Sequence, residues 1–569
     1  MKLRLTPYSL LIAGLLVIMS SCSKKSNVPV PADATMVLRI DAGSLSSKLS
    51  WEEIKQGELY KSMLTEVRDD FYRKLLSNPD STGIDLQSDA YIFLNSRGRG
   101  GYACVTFNIK DEKAFALLMS KTAEEGNDQI TKAGDLSVIK EHGSVVTWSS
   151  KRFVAIADVP DMGTSRAFGG KESGYGSRRF SEDSLLKFAR DIHGMNGSNS
   201  LGNNEKFASL INDKADMHIW LNTGKLTSGS NPYMSLIKAN VLFEGNYSAI
   251  KLNFENGKIV MDSKSYYNKE LAAFFKEYKA KNIDEDMLKK IPAGNVTGVF
   301  AMNYPPEGLK AFIKLLGVDG VVNDFLADLD ISMDDFVKAN KGDMVFAVSD
   351  FTYAEKETMM NFGDRQIPYK TTAPDAKIVF AASVNDKPSF EKLMTSLRNK
   401  LNSSAGEMFR QEAGKIPYQL KDGWFVAGSD SGYINAYGST STNHPFIAKI
   451  AGHPRGAYVD IQKIISGIKS SIKDSSARVI ADESAKVWQD IVTYGGDFSD
   501  GYTTGHFEIN MVDKNTNSLK QLHNYVSMIA KKFKEHDEAR RAQWDTMRDM
   551  PAVPDIKQED ITVPPPADR

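Results

Sequence analysis

The sequence predicts an α+β protein of two tandem homologous halves, and three observations carry that prediction. Short alternating apolar segments recur with small Gly- or charge-bearing gaps between them, the pattern of antiparallel hairpins. Amphipathic helical stretches fall in clusters among these strands rather than alternating with them one for one, which separates α+β from α/β. Finally, four segments return in the same order 255 to 275 residues later.

Phe153-Val-Ala-Ile-Ala-Asp158 is answered by Phe425-Val-Ala-Gly-Ser-Asp430, an offset of 272. Asp111 to Met119 is answered by Asp386 to Met394 at 275, and Pro31 to Asp41 by Pro292 to Met302 at 261. Asn246 to Phe254 is answered by Gly501 to Ile509 at 255. These matches place the halves at 30–280 and 285–535. A smaller unit recurs within each half: a polar or Pro/Gly turn, an alternating strand, then a helix start. Lys214 to Asn222 and His453 to Ile461 repeat the half-opening strands in this way.

Each half is expected to be a mainly antiparallel sheet with helices packed on one face. Leu59, Met63, Val67 and Phe71 recur every four residues and mark an amphipathic helix after the opening strand. Strands are expected at Ala90–Leu94, Ala103–Ile109, Leu136–Ile139, Val145–Trp148 and Phe153–Ala157, with a helix from Lys113 to Met119. Met162 to Arg179 and Gly194 to Gly202 read as glycine-rich loops. Leu519, Leu522, Val526, Ile529 and Phe533 form one face of a last helix. Residues 536–569 are the charged end of that helix and a Pro-rich tail; from Pro551 onward, including Pro564-Pro-Pro566, the chain is expected to be disordered or extended.

The first residues carry an address. Lys2 and Arg4 precede an uncharged apolar run from Tyr8 to Met19, shorter than the ~20 residues a transmembrane helix needs. Residues 1–21 therefore read as an export signal. Met19-Ser20-Ser21-Cys22 resembles the bacterial lipobox, with Met19 standing where leucine is usual. That resemblance implies lipidation of Cys22, cleavage before it, and an anchor linker over 22–29. Lys24 in place of an aspartate implies an outer-membrane anchor, expected to face the periplasm. Cys104 is then the remaining thiol, so no intrachain disulfide is expected. Its alternating surroundings make it a small buried apolar residue.

Among 569 residues, 71 Lys and Arg face 72 Asp and Glu, a formal net charge of −1. That balance argues against nucleic acid as a partner, since phosphate binding needs a cationic surplus. The eight histidines include no His-x-x-x-His pair, and His218, in an alternating strand, reads as a partly buried, hydrogen-bonded residue rather than a ligand. Asp328, Asp330, Asp334 and Asp335 lack the glycine and closing glutamate of a calcium loop. They read as a solvated helix start. Gly169-Gly170-Lys171 is followed by Glu172 rather than Ser or Thr, so it is no phosphate loop. Gly428-Ser-Asp430-Ser-Gly432 has Asp430 where a nucleophile elbow needs serine. Ser466 with Lys469, and Ser470 with Lys473, fit a Ser-x-x-Lys pattern without its companion motifs. No catalytic residue, metal ligand or cofactor is assigned.

The size, the Ser21-Cys22-Ser23-Lys24 anchor and the opening Pro31-Ala-Asp33-Ala34-Thr-Met-Val37 resemble a family of uncharacterised Bacteroidota lipoproteins, described only as a domain of unknown function. The resemblance covers nearly the entire mature chain and implies no catalytic residues. The expected function is a lipid-anchored cell-envelope protein with a non-enzymatic binding or scaffolding role. Its partners would be the membrane, through the anchor, and an envelope protein or glycan. The alternative is a hydrolase acting on an envelope glycan or peptide polymer. Ligand contact is expected at the junction Asn282–Pro292 and in the glycine-rich loops. Glu535–Arg569 is either a docking element or a solubilising terminus.

Overall fold

The structure is a computed structural model that describes residues 28–97, 100–141, 143–159, 180–227, 238, 240–362, 365–401, 416–439, 441–469 and 471–548. Cys22, the loop from Met162 to Arg179 and the Pro-rich tail lie outside the described residues. Alternation and short turns produce the expected hairpins. The strands are β1 (Met36–Asp41), β2 (Asp89–Arg97), β3 (Gly100–Asn108), β4 (Thr131–Ala133), β5 (Leu136–Glu141), β6 (Ser144–Trp148), β7 (Arg152–Val159), β8 (Met217–Asn222) and β9 (Tyr247–Glu255). They continue with β10 (Lys258–Tyr266), β11 (Val296–Asn303), β12 (Asn340–Phe362), β13 (Arg365–Val384), β14 (Tyr418–Lys421), β15 (Trp424–Gly428), β16 (Arg455–Asp460), β17 (Trp488–Ser499) and β18 (Tyr502–Met511).

The ladders join these strands into one antiparallel sheet. Outward from the central pair β10/β18, one side runs β10-β9-β8-β1-β2-β3-β7-β6-β5-β4. The other runs β18-β17-β16-β11-β12-β13-β15-β14. The two sides follow the same order, so the α+β architecture consists of two similarly wound halves that meet at their last strands. Across that seam, His506 Nδ1 lies 2.8 Å from an Asp262 oxygen and Lys258 Nζ 3.2 Å from a Glu508 oxygen.

Within each half the strand-then-helix unit is used twice. β1, β8, β11 and β16 are each followed by helical turns and then by a hairpin. Each hairpin ends at a side-chain cap: Asp111, Asn268, Asp386 and Asn517 accept backbone N–H groups at the starts of helices Glu112–Gly126, Lys269–Glu277, Lys387–Leu401 and Ser518–Arg548. Such caps satisfy donors that a first turn leaves bare, worth about 1 kcal/mol apiece.

The ladders also correct two of the sequence matches. Val37 pairs with Phe93 and Trp220, and Val299 with Ala347 and Tyr458. Val37 thus corresponds to Val299, not to Gly298 as the 261 offset has it. The register shift between Val296 and Gly298 adds the residue, and a slip of one would turn every side chain to the other face. Asn246–Phe254 opens β9, whose counterpart by position is β17, whereas Gly501–Ile509 opens β18. Both strands of a hairpin carry the same two-residue period, so pattern alone does not tell them apart.

On one face, Val37, Phe93, Cys104, Val154, Trp220 and Ala249 form the core of the first half under helices Glu182–His193 and Glu205–Asn212. Val299, Ala347, Val379, Val426, Tyr458 and Val492 hold the same places in the second, under Glu285–Lys289, Ser431–Ala436 and Ile447–Ile450. Helices also cover the opposite face at the margins. Phe115 of helix Glu112–Gly126 sits 6.1 Å from Phe107 and 5.7 Å from Phe153. β7 reads Phe-Val-Ala-Ile-Ala, apolar on both sides, and both sides need cover.

The helix expected from Leu59 through Phe71 is broken into Glu58–Glu66 and Asp70–Ser77, because Asp69 caps the second segment through the Phe71 N–H at 2.7 Å. The loop Gly194–Gly202 is a structural clasp. Ser200 Oγ donates to Val28 O at 2.7 Å, and Leu201 is buried in the core.

His193, at the end of helix Glu182–His193, makes a hydrogen bond of 3.0 Å with Thr147. Burial, and then the Arg152 charge, pull its pKa from the ordinary 6.5 to about 4. The unfolded chain therefore binds more protons than the folded one between those values, and stability falls as pH drops through 6.5 toward 4. At about 1.4 kcal/mol per unit, over the roughly 1.5 units from 6.5 down to pH 5 and discounted for its partial exposure, the loss at pH 5 is expected to be about 1 kcal/mol. Urea midpoints at pH 7 and pH 5 measure it. His193→Gln should flatten the difference, and an equally steep slope in that variant would assign it elsewhere.

Candidate functional site

A cavity of about 940 Å³ opens over the second half's strands, on the face opposite the Val299 core. Its floor is a row of residues that sit directly opposite one another on successive strands: Arg455, Met302, Met344, Ala382 and Phe425. Its roof comes from helices. Phe274, Phe275 and Tyr278 belong to Lys269–Glu277 and its C-cap, Phe312 to Pro306–Leu315, Phe336 to Met333–Ala339 and Phe390 to Lys387–Leu401. Phe274 lies 5.5 Å from Phe312 and 5.3 Å from Tyr278, so these three rings form one connected part of the roof. Gly308 allows it: a Cβ there would stand 2.8 Å from Pro305 Cγ and 3.0 Å from Tyr278 Cβ. Burial raises the pKa of the lining Tyr304, as expected of a wall shielded from water.

The first half shows why the space exists. Phe107 stands four residues before the cap Asp111, as Ala382 stands four before Asp386. Phe107 faces Phe153 across its ladder, and Ala382 faces Phe425. In the first half Phe107 stacks on Phe153 at 4.6 Å and fills the gap under Phe115. In the second half, Phe390 still meets Phe425 at 5.3 Å, but alanine leaves the neighbouring volume open.

A second pocket, of about 260 Å³, lies over the seam. His453, Tyr494 and His506 stack there at 4.2 and 4.6 Å, and Asp497 and Asp262 each lie 2.8 Å from a histidine nitrogen. Its acids and bases are largely engaged with one another.

Asn282 lines the large cavity, but Ile283, Leu288 and Ile291 of the same junction are core. His218, expected to be a hydrogen-bonded strand residue, is buried between Arg39 Nη1 at 2.9 Å and Asp213 O at 2.8 Å. Asp335 forms a capping box with Ser332, and Asp430 caps the helix after β15. Cys104 is buried, and burial pushes its thiol pKa well up. The Lys469 ammonium is taken by Asp482. Among the described residues no group of three His, Cys, Asp or Glu is placed to hold a metal, and no helix is long and apolar enough to cross a membrane. The aromatic roof was missed in the sequence. Its signal is the density of rings from Tyr266 through Phe312, which includes Tyr267, Phe274, Phe275 and Tyr278.

Fold and cavity together define an antiparallel α+β protein with an open, aromatic-roofed cleft whose strand floor lies on one of two similar halves. Residues 26–421 match the family described as Domain of unknown function (DUF4836), and the chain belongs to that family. The match ends at the last residue of β14, so Phe425, Arg455 and the rest of the cavity's far wall lie beyond it. No curated protein matches the chain. Among solved structures, crystal form I of TP0453 is similar at 10% identity and a TM-score of 0.25, over 44% of this chain and 80% of that one. Crystal form IV gives 10% and 0.25 over 47% and 91%. Likeness at this level bears on neither fold nor function.

Proposed function

We propose that this is a lipid-anchored envelope protein, tethered at Cys22 to the outer membrane and facing the periplasm, that holds an elongated apolar ligand without reacting with it. The observation that carries the binding role is the cavity. At about 940 Å³ it is near the upper end of ligand sites, and most of its lining is apolar or aromatic. Such a lining favours a lipid chain over the glycan or peptide polymer that a hydrolase reading would require. A sugar's hydroxyls would lose water there with few partners in return. The buried Cys104 thiol and the engaged Lys469 give the hydrolase reading no support.

The test is to purify the protein from its native envelope and identify the small molecules it carries by mass spectrometry. Co-purifying lipid that disappears when the cavity is filled supports the proposal; an empty protein that also takes up no lipid in vitro defeats it. The anchor is tested separately. Cys22→Ala is expected to move nearly all of the protein from the membrane to the soluble fraction, since stable attachment needs two or more acyl chains. Continued sedimentation with membranes would count against lipidation.

A further inference from the structure

We infer that the cavity takes a long-chain amphiphile with an anionic head, its carboxylate set against Arg455 and its chain laid along the strand row to Phe425. The inference rests on the binding role proposed above and names the ligand class of the same site.

The floor is directional. Arg455, Met302, Met344, Ala382 and Phe425 are opposed residues on β16, β11, β12, β13 and β15, so their side chains project to one face. Four strand spacings of about 4.8 Å give a track of about 19 Å, with a cation at one end and an aromatic ring at the other. Polar backbone and side chains converge on the cationic end. Lys281 N donates to Asn303 Oδ1 at 2.7 Å, Asn303 N to Pro454 O at 2.8 Å, and Ile283 N to His453 O at 2.8 Å. These bonds seat the segment that carries Lys279 beside Arg455, and both residues line the cavity and are exposed.

Asp497 is the carboxylate lining that end, and it lies 2.8 Å from His453 Nδ1. Among the described residues neither Lys279 nor Arg455 forms an ion pair. Two cations against one engaged carboxylate leave a local surplus of positive charge. The guanidinium fork matches a carboxylate's two oxygens. The other end, at Phe336, Phe390 and Phe425, has no charged group in its lining.

The first half lacks both features. Met217 pairs with Ile40 as Arg455 pairs with Met302, and Phe107 occupies the place of Ala382. The equivalent row there carries neither the cation nor the alanine beside the strand phenylalanine, so the floor of the site is built from the second half, and Lys279 and the helix Lys269–Glu277 reach over it from the end of the first.

Hexadecanoate and hexadecanol, delivered from cyclodextrin to the full chain carrying Cys22→Ala, separate the possibilities by calorimetry. The acid is expected to bind about tenfold more tightly than the alcohol, the scale of one hydrogen bond to a charged group. Arg455→Gln should remove that preference by weakening the acid while leaving the alcohol, and Arg455→Lys should restore part of it. Arg455 is exposed, so these variants are expected to melt like the parent. Equal binding of acid and alcohol to the parent, or a preference that survives Arg455→Gln, overturns the head-group assignment and leaves the cavity reading standing. Failure of both compounds to bind overturns the cavity reading itself.

Discussion

Ala382→Phe is expected to abolish uptake of apolar ligands while leaving the protein folded and slightly more stable. The basis is internal to the molecule. At the corresponding place in the first half, Phe107 stacks on Phe153 at 4.6 Å beneath Phe115 and takes up the space that Ala382 leaves. The second half keeps Phe425 and Phe390 but has lost the third ring. Restoring it puts a side chain into the middle of the floor that a chain lying between Arg455 and Phe425 must cross. Affinity is expected to fall by at least tenfold, about 1.4 kcal/mol. Cavity filling should add about 1 kcal/mol of stability. The reciprocal change, Phe107→Ala, should cost about 3 kcal/mol, because it removes a ring from a site built around it. Urea unfolding and ligand titration on the two variants check both halves of the argument. Unchanged binding in Ala382→Phe would place the ligand outside the cavity. A large destabilisation would mean that the two halves pack by different rules.

The contrast between Phe107 and Ala382 also explains how far the sequence could be read. The sheet was legible because its strands alternate with period two and because Asp111 and Asp386 stand at equal distances after matching strands. The fold class and the doubling follow from that local information. Pairing across the seam was not legible: nothing in the Lys258–Tyr266 segment says that its partner is Tyr502–Met511 rather than a strand of its own half. The cavity was less legible still. It exists through what is missing beside Phe425, and a missing ring has meaning only once the ladder places Ala382 opposite it. The matched segments used Asp111–Met119 and Asp386–Met394, which begin four residues too late to include the decisive pair. His218 and Cys104 were read correctly as structural because a lone polar residue in an alternating strand carries its own surroundings in the sequence.

Asp216→Ala is expected to cost the first half about 3 to 5 kcal/mol, the scale for removing one partner from a buried charged pair. Asp216 sits in the turn before β8, in a segment whose sequence reads as an ordinary polar strand entry. In the fold its side chain is fully buried and joins three elements. Its oxygens accept from Ser44 Oγ, Lys48 Nζ and Phe254 N, each at 2.6 Å. The first two belong to the helix Ala42–Lys48 after β1, and the third to β9. Removing the carboxylate leaves the Phe254 N–H without that acceptor inside the sheet and the Lys48 ammonium, three-quarters shielded from solvent, without its anion. Asp216→Asn keeps an acceptor but not the charge, so it should lose less than the alanine variant. Urea unfolding orders the three proteins, and a loss below about 1 kcal/mol for alanine would show that Ser44 and Lys48 find other partners. Because Asp216 lines neither the floor nor the roof of the large cavity, ligand binding at saturating concentration should survive Asp216→Ala at temperatures where the variant remains folded. That separation distinguishes a residue that holds the scaffold together from one that meets the ligand.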